Sequence, residues 1–155
     1  MRLFEQRHIP YRAHCYLEAM AGCDGVPSGA EVARLLGQDP ARVYKTLVAV
    51  GKSGGKVVFV IPVEGTLDLK QAAKAAGEKS VAMLPQKELL PLTGYVHGGC
   101  SPVGMKKAFP TFLDQSAAGF ETIVFSAGKI GYQIEAAPDA LEKLIRVRYA
   151  ALTKA

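Results

Sequence analysis

Cysteine and histidine are scarce in this sequence. The three cysteines, Cys15, Cys23 and Cys100, are odd in number, widely spaced and without a CxxC pair. That excludes a disulfide framework and a tetrahedral thiolate site, and leaves reduced thiols as the simplest state. His8, His14 and His97 are scattered, with no HxxxH pair and no carboxylate cluster at ligand spacing, so no metal and no cofactor is assigned. Long apolar runs are missing too. The opening MRLFEQRHIPYRAHCYL is charged throughout and has no signal-peptide core, and no later span is long enough to cross a membrane. The expectation is a cytoplasmic protein with no membrane partner. There is no internal repeat and no GxGxxG after the first strand, which argues against a dinucleotide fold. GKSGGK, at 51–56, imitates a phosphate loop, but its glycines sit one residue too close and Val57 stands where Ser or Thr is needed.

What is present is enough for one domain. The chain has 155 residues, 49% hydrophobic and 21% charged, which closes a core and predicts a single globular domain over 1–155. The formal charge is +5, from 19 Lys and Arg against 14 Asp and Glu. An anionic partner is therefore favoured, and nucleic acid is the commonest such partner.

The segment SGAEVARLLGQDP reads as a short helix: Ser28 and Glu31 have capping-box spacing, Val32, Leu35 and Leu36 share a face, and Gly37 supplies a left-handed stop. Asp39 and Pro40 predict one more helical turn. VYKTLVAV (43–50) and the fully apolar VVFVIP (57–62) predict a hairpin with one buried strand. LDLKQAAKAAG predicts a helix from an Asp68 cap to Gly77, with Leu69, Ala72, Ala73 and Ala76 inward and Lys70 and Lys74 outward. VAML (81–84), TFLD (111–114), ETIVFSAG (121–128) and YQIEA (132–136) are further strands. PQKELLP (85–91) is a turn of helix bracketed by prolines, and PDALEKLI (138–145) is a closing helix with Leu141, Leu144 and Ile145 on one face.

The chemistry concentrates in YVHGGCSPVG, 95–104. A nucleophile at Cys100 or Ser101 would need a base and an orienting group, and GxSxG is absent because Pro102 follows Ser101. A small buried loop cysteine is the plainer state of Cys100. Alternatively the backbone acts: Gly98, Gly99 and Gly104 can take positive φ and leave N–H groups open to an anion, with Lys106 and Lys107 beside them. A tight turn between strands accounts for the glycines equally well. Lys45, from the residues alone, is a strand lysine facing water.

VYKTLVAV, LDLKQAAKAAG, TGYVHGGCSPVGMKK with FPTFLD, and SAGKIGYQIE, in this order and at these separations, resemble the YbaK/EbsC family of Cys-tRNA(Pro) deacylases over roughly residues 11 to 148. The resemblance implies an α+β (mixed α/β) domain, a curved barrel-like sheet surrounded by short helices, similar to the editing domain inserted in bacterial prolyl-tRNA synthetases. It implies trans-editing, the hydrolysis of cysteine wrongly attached to proline tRNA. A proline pocket cannot firmly reject a side chain of similar size, since a methylene is worth only about 1–3 kcal/mol. Another small aminoacyl ester such as alanine, or a noncatalytic module for a nucleotide or RNA end, stands as the alternative. The implied partners are the tRNA acceptor end and prolyl-tRNA synthetase.

By the same resemblance the indispensable residue is Lys45. Gly99 and Ser101 join it in catalysis, while Tyr16, Thr46, Cys100, Pro102, Ser126 and Gln133 line the substrate pocket. The implied mechanism is substrate-assisted: the thiol of the attached cysteine attacks its own ester, the GGCSP backbone holds the oxyanion, and Cys100 is incidental. Two positions depart from the family pattern. Ser28 stands where some members carry phenylalanine, and Gln133 replaces an aspartate, so it offers hydrogen bonds but no general base. The Gly, Asp and Pro content of Ala19 to Pro27 predicts a mobile loop beside the pocket.

Overall fold

The structure, a computed structural model, describes residues 2–154. Its helices are α1 (Arg2–Gln6), α2 (Leu17–Met20), α3 (Gly29–Leu35), α4 (Leu69–Ala76), α5 (Gln86–Thr93) and α6 (Pro138–Leu144). Its strands are β1 (Arg12–Cys15), β2 (Tyr44–Gly51), β3 (Lys56–Pro62), β4 (Val81–Met83), β5 (Thr111–Asp114), β6 (Ile123–Ser126), β7 (Tyr132–Ala136) and β8 (Val147–Ala150). No helix among the described residues is long and apolar enough to cross a membrane.

The expected hairpin is the centre of the fold. β2 and β3 pair antiparallel from Tyr44 opposite Pro62 to Val50 opposite Lys56. β3 is apolar along its length because both its faces are covered. Val58 and Val60 point into a core with Phe4, Phe125, Ile134 and Leu141, while Phe59 and Ile61 point into a second cluster with Ala72, Ala73 and Phe112. β5 joins β3 in parallel, β8 joins β5 in parallel, and β4 takes the far edge of β2, giving the order β4-β2-β3-β5-β8. A second, antiparallel sheet runs β1-β7-β6. A parallel bridge between Val43 and Val124 ties β6 to the start of β2. The expected curved sheet is thus realised as two sheets that meet at this bridge, near the end of β2 that carries Lys45.

Local chemistry sets the helix ends. Ser28 Oγ accepts from the Glu31 N–H while the Glu31 carboxylate accepts from the Ser28 N–H, the predicted capping box. Asp68 caps α4, and Gly77 closes it at φ 71°. Leu69 is not inward as expected but 44% exposed; Leu67, before the cap, occupies the cluster with Ala72 and Ala73 instead. α5 does not end at Pro91 as the bracketing prolines suggested but runs through it to Thr93. The proline removes the N–H that would reach the Lys87 carbonyl, and the last turn is held by the Thr93 hydroxyl, which donates to the Leu89 carbonyl at 2.8 Å.

Candidate functional site

A cleft of about 530 Å³ opens where the two sheets meet, with residues of β2, β6 and β7 at its base and Val26 to Val32, including the start of α3, along one side. The β6–β7 register sets Ser126 opposite Gln133, and both line the cleft. β2 contributes Lys45 and Thr46, α2 is preceded by Tyr16, and the 98–104 loop brings Gly98 and Cys100. The cleft therefore gathers Lys45, Tyr16, Thr46, Cys100, Ser126 and Gln133 of the expected residues.

It does not gather the other three. Gly99 is buried outside the lining: its N–H donates to the Val96 carbonyl at 3.0 Å, and a Cβ there would meet the Ile130 amide nitrogen at 3.2 Å. Its lack of a side chain serves packing, and its N–H is already engaged. Ser101 is 0% exposed, its Oγ accepting from the Val103 N–H at 3.4 Å. Pro102 lines a second groove on the other side of the loop. Lys106 and Lys107 are also absent from the cleft: the first lies along Gly94 and the second lines that groove.

Gly98, the neighbouring glycine, lines the cleft. It adopts φ +89°, which favours glycine for the turn, and an added Cβ would press on the Val26 side chain at 3.2 Å. Among the described residues neither the Gly98 nor the Cys100 N–H donates to another group. Val26 and Pro27 stand in the lining, so the end of that loop borders the cleft. Tyr95 fixes the other side. Its hydroxyl donates to the Val103 carbonyl at 2.6 Å, and its ring fills the space left by Gly104 and Gly128, both at positive φ.

Lys45 is half-buried and forms no ion pair among the described residues. Burial pulls its ammonium below the usual lysine range. The Thr46 hydroxyl is buried with no hydrogen-bond partner. A half-buried cation without an anionic partner in a cleft describes a site for an anionic group. Cys100 is the opposite case: burial pushes its thiol up to about 12, so it is not a thiolate at neutral pH. Glu31 lines the cleft, but its carboxylate caps α3, and His97 is exposed. Among the described residues no cluster of His, Cys, Asp or Glu could hold a metal.

Behind the cleft lies a polar network that sequence reasoning missed. Gln133 is 5% exposed, and its Oε1 accepts from Gln38 Nε2 at 2.9 Å. Gln38 lies just past the left-handed Gly37 and carried no signal of its own. Next along β7, Glu135 accepts from Thr122 Oγ1 at 2.7 Å, pairs with His14 Nε2 at 2.8 Å, and faces Arg42, which also donates to Thr122. The Thr122 and His14 hydrogen bonds hold the Glu135 carboxyl below its ordinary value. Glu135→Gln is expected to cost about 1–3 kcal/mol of stability at neutral pH in urea unfolding. Because the folded-state value is the lower one, the difference is full above the ordinary glutamate value and shrinks as pH falls through the folded one.

Comparison with known proteins follows the same lines. A family model described as an aminoacyl-tRNA editing domain matches residues 23–144. A protein of Enterococcus faecalis, provisionally named Cys-tRNA(Pro)/Cys-tRNA(Cys) deacylase EbsC, is 46% identical over 153 residues, 99% of this chain and 91% of that protein. Among solved structures, one provisionally described as a trans-editing enzyme for prolyl tRNA synthetase superposes with a TM-score of 0.80 at 24% identity, over 98% of this chain and 92% of its own. A second, a protein without an assigned function, superposes with a TM-score of 0.79 at 22% identity, over 96% of each chain. At those identities the two structures speak for the fold.

Proposed function

The chain belongs to the aminoacyl-tRNA editing domain family, and from that premise we propose that it hydrolyses cysteine misattached to proline tRNA, using the thiol of the substrate as nucleophile. The observation that carries this reading is a cleft with one unpaired cation, Lys45, and no activated protein nucleophile. A cleft of about 530 Å³ has the size of a small-ligand site. It suits an aminoacyl-adenosine.

In this mechanism Lys45 holds the terminal nucleotide through its phosphate or ribose oxygens, and Thr46, the next residue of β2, lines the same cleft. The free N–H groups of Gly98 and Cys100 replace that of Gly99 as donors to the ester carbonyl, whose developing negative charge they stabilise. The cysteine thiol forms a bond from sulfur to its own carbonyl carbon, the bond to the ribose oxygen breaks, and the thiol proton ends on that oxygen. Water then opens the cyclic thioester to free cysteine. Tyr16, Ser126 and Gln133 confine the aminoacyl group, and Gln133 does so as a hydrogen-bonding amide, not as a base. Ser101 and Pro102 shape the loop from beneath. We read residues 1–155 as one editing domain, working in the cytoplasm where tRNA is charged, with prolyl-tRNA synthetase as the partner that supplies the misacylated product.

The substrate-thiol route makes Cys100 dispensable. Cys100→Ala is expected to keep kcat/KM within about twofold of wild type, because an un-ionised buried thiol contributes packing and not chemistry. Its cost should appear in the melting temperature, as about 1 kcal/mol for the lost sulfur. A loss of about 100-fold in kcat with an intact melt would instead make Cys100 the nucleophile.

A further inference from the structure

The 97–107 loop has two sides. His97, Gly98 and Cys100 line the cleft, whereas Pro102, Gly104, Met105 and Lys107 line a separate groove of about 1260 Å³. This groove crosses the N-terminal ends of β5 and β8 and reaches the C-terminal turn of α4. Its charge is lopsided. Lys74, Lys107, Arg146 and Arg148 stand around it against the single carboxylate of Glu142, a ratio of four to one where the whole chain has 19 to 14. All four cations are exposed, and none forms an ion pair among the described residues. Between them the half-buried side chains of Met105, Phe109, Ile145 and Val147 make an apolar floor.

We propose that this groove holds the unpaired 3′ segment of the tRNA, the nucleotides that precede the terminal adenosine, with bases on the floor and phosphates at the rim. The inference rests on the editing reading of the cleft and extends it to the rest of the acceptor end. Unpaired nucleotides present both chemistries that the groove offers, a π-face for the apolar floor and a phosphate for each cation. A duplex would bring phosphates to the rim but leave the floor uncovered. The cleft itself has too little positive charge to hold a polyanion, since Lys45 is the one Lys or Arg in its lining. The neighbouring groove supplies what it lacks, and the shared loop makes the two adjacent stations on one strand.

Binding and hydrolysis measured together test this. The variant is Lys107→Glu/Arg146→Glu/Arg148→Glu, three exposed positions, with its fold checked by thermal melting. Two unacylated RNA hairpins serve as binding probes in fluorescence anisotropy: one carries an unpaired 3′ tail and the other ends blunt. Wild type is expected to bind the tailed hairpin at least about tenfold tighter than the blunt one, and the variant is expected to lose that preference. The slope of log affinity against log salt for the tailed hairpin should shrink by about 2, near 0.7 for each single-strand phosphate contact removed. In hydrolysis, KM for the cysteine ester of tRNA should rise about tenfold with kcat retained, and the cysteine ester of adenosine alone should be cleaved at the wild-type rate. Tail-dependent binding that survives in the variant would overturn the inference and hand the groove to another occupant, such as an acidic protein segment. Equal loss on the adenosine ester, in a variant that melts normally, would also overturn it. A wild type that prefers the tailed hairpin yet hydrolyses nothing would refute the editing reading while leaving the groove assignment standing.

Discussion

Lys45→Met is expected to lower kcat/KM for hydrolysis of the cysteine ester by about 100-fold or more, with a melting temperature at neutral pH equal to wild type or higher. The two effects have one cause. Lys45 lies half-buried on β2 without an ion pair among the described residues, so the folded protein carries a partly desolvated charge that the unfolded chain leaves in water. Its folded-state pKa is therefore below the ordinary lysine value. The penalty is full while both states are protonated and disappears as pH rises past the ordinary value, so any stability gained by Lys45→Met belongs to neutral pH and vanishes in strong alkali. A group kept at a cost to folding is accounted for by what it binds, here an anionic nucleotide. Steady-state kinetics with melts at neutral and alkaline pH check both halves. Retained activity would remove Lys45 from the site, and a large drop in melting temperature would make it structural.

The serine ester of the same tRNA is expected to be cleaved at least about 100-fold more slowly than the cysteine ester. Serine differs by one atom, so the pocket cannot separate the two by size. The difference is chemical. A cysteine thiol ionises near pH 8.5 and is a few per cent thiolate at neutral pH, whereas a hydroxyl needs a general base. The cleft provides no oriented one among the described residues: the Glu31 carboxylate is held on the Ser28 N–H, the His97 ring has no hydrogen-bond partner to orient it, and Gln133 is a neutral amide. Single-turnover assays with matched tRNA preparations read this directly. Equal rates for the two esters would require an activated water or a base outside the residues named here.

The parts of the fold that were legible in the sequence are those with a local cause. The capping box at Ser28, the Asp68 cap with its Gly77 stop, and the apolar run of β3 all appear where patterning placed them. β1 and β8 were not legible, because RAHC and VRYA are short, polar and largely exposed, and they are strands by virtue of pairing with β7 and β5. The site divides in the same way. Lys45 lies in the cleft and not in open water, a placement that the resemblance implied and alternation along β2 could not decide. Gly98 and not Gly99 lines the cleft, because hydrogen bonding to Val96 and contact with Ile130 are tertiary facts invisible in GGCSP. Gln38 reaches Gln133 across 95 residues of chain, a separation no motif spans.

Hydrolysis of cysteinyl-tRNA(Pro) beside its S-methyl derivative on the same tRNA is the most direct test of the substrate-thiol mechanism. The two esters share charge and carbonyl, differ in bulk by one methyl group, and differ in whether sulfur can lose a proton and attack. The wild-type protein is predicted to release tRNA from the cysteine ester and to leave the S-methylcysteine ester at its spontaneous rate. Comparable release from both would contradict the substrate-thiol route and return the search to a nucleophile or base within the protein.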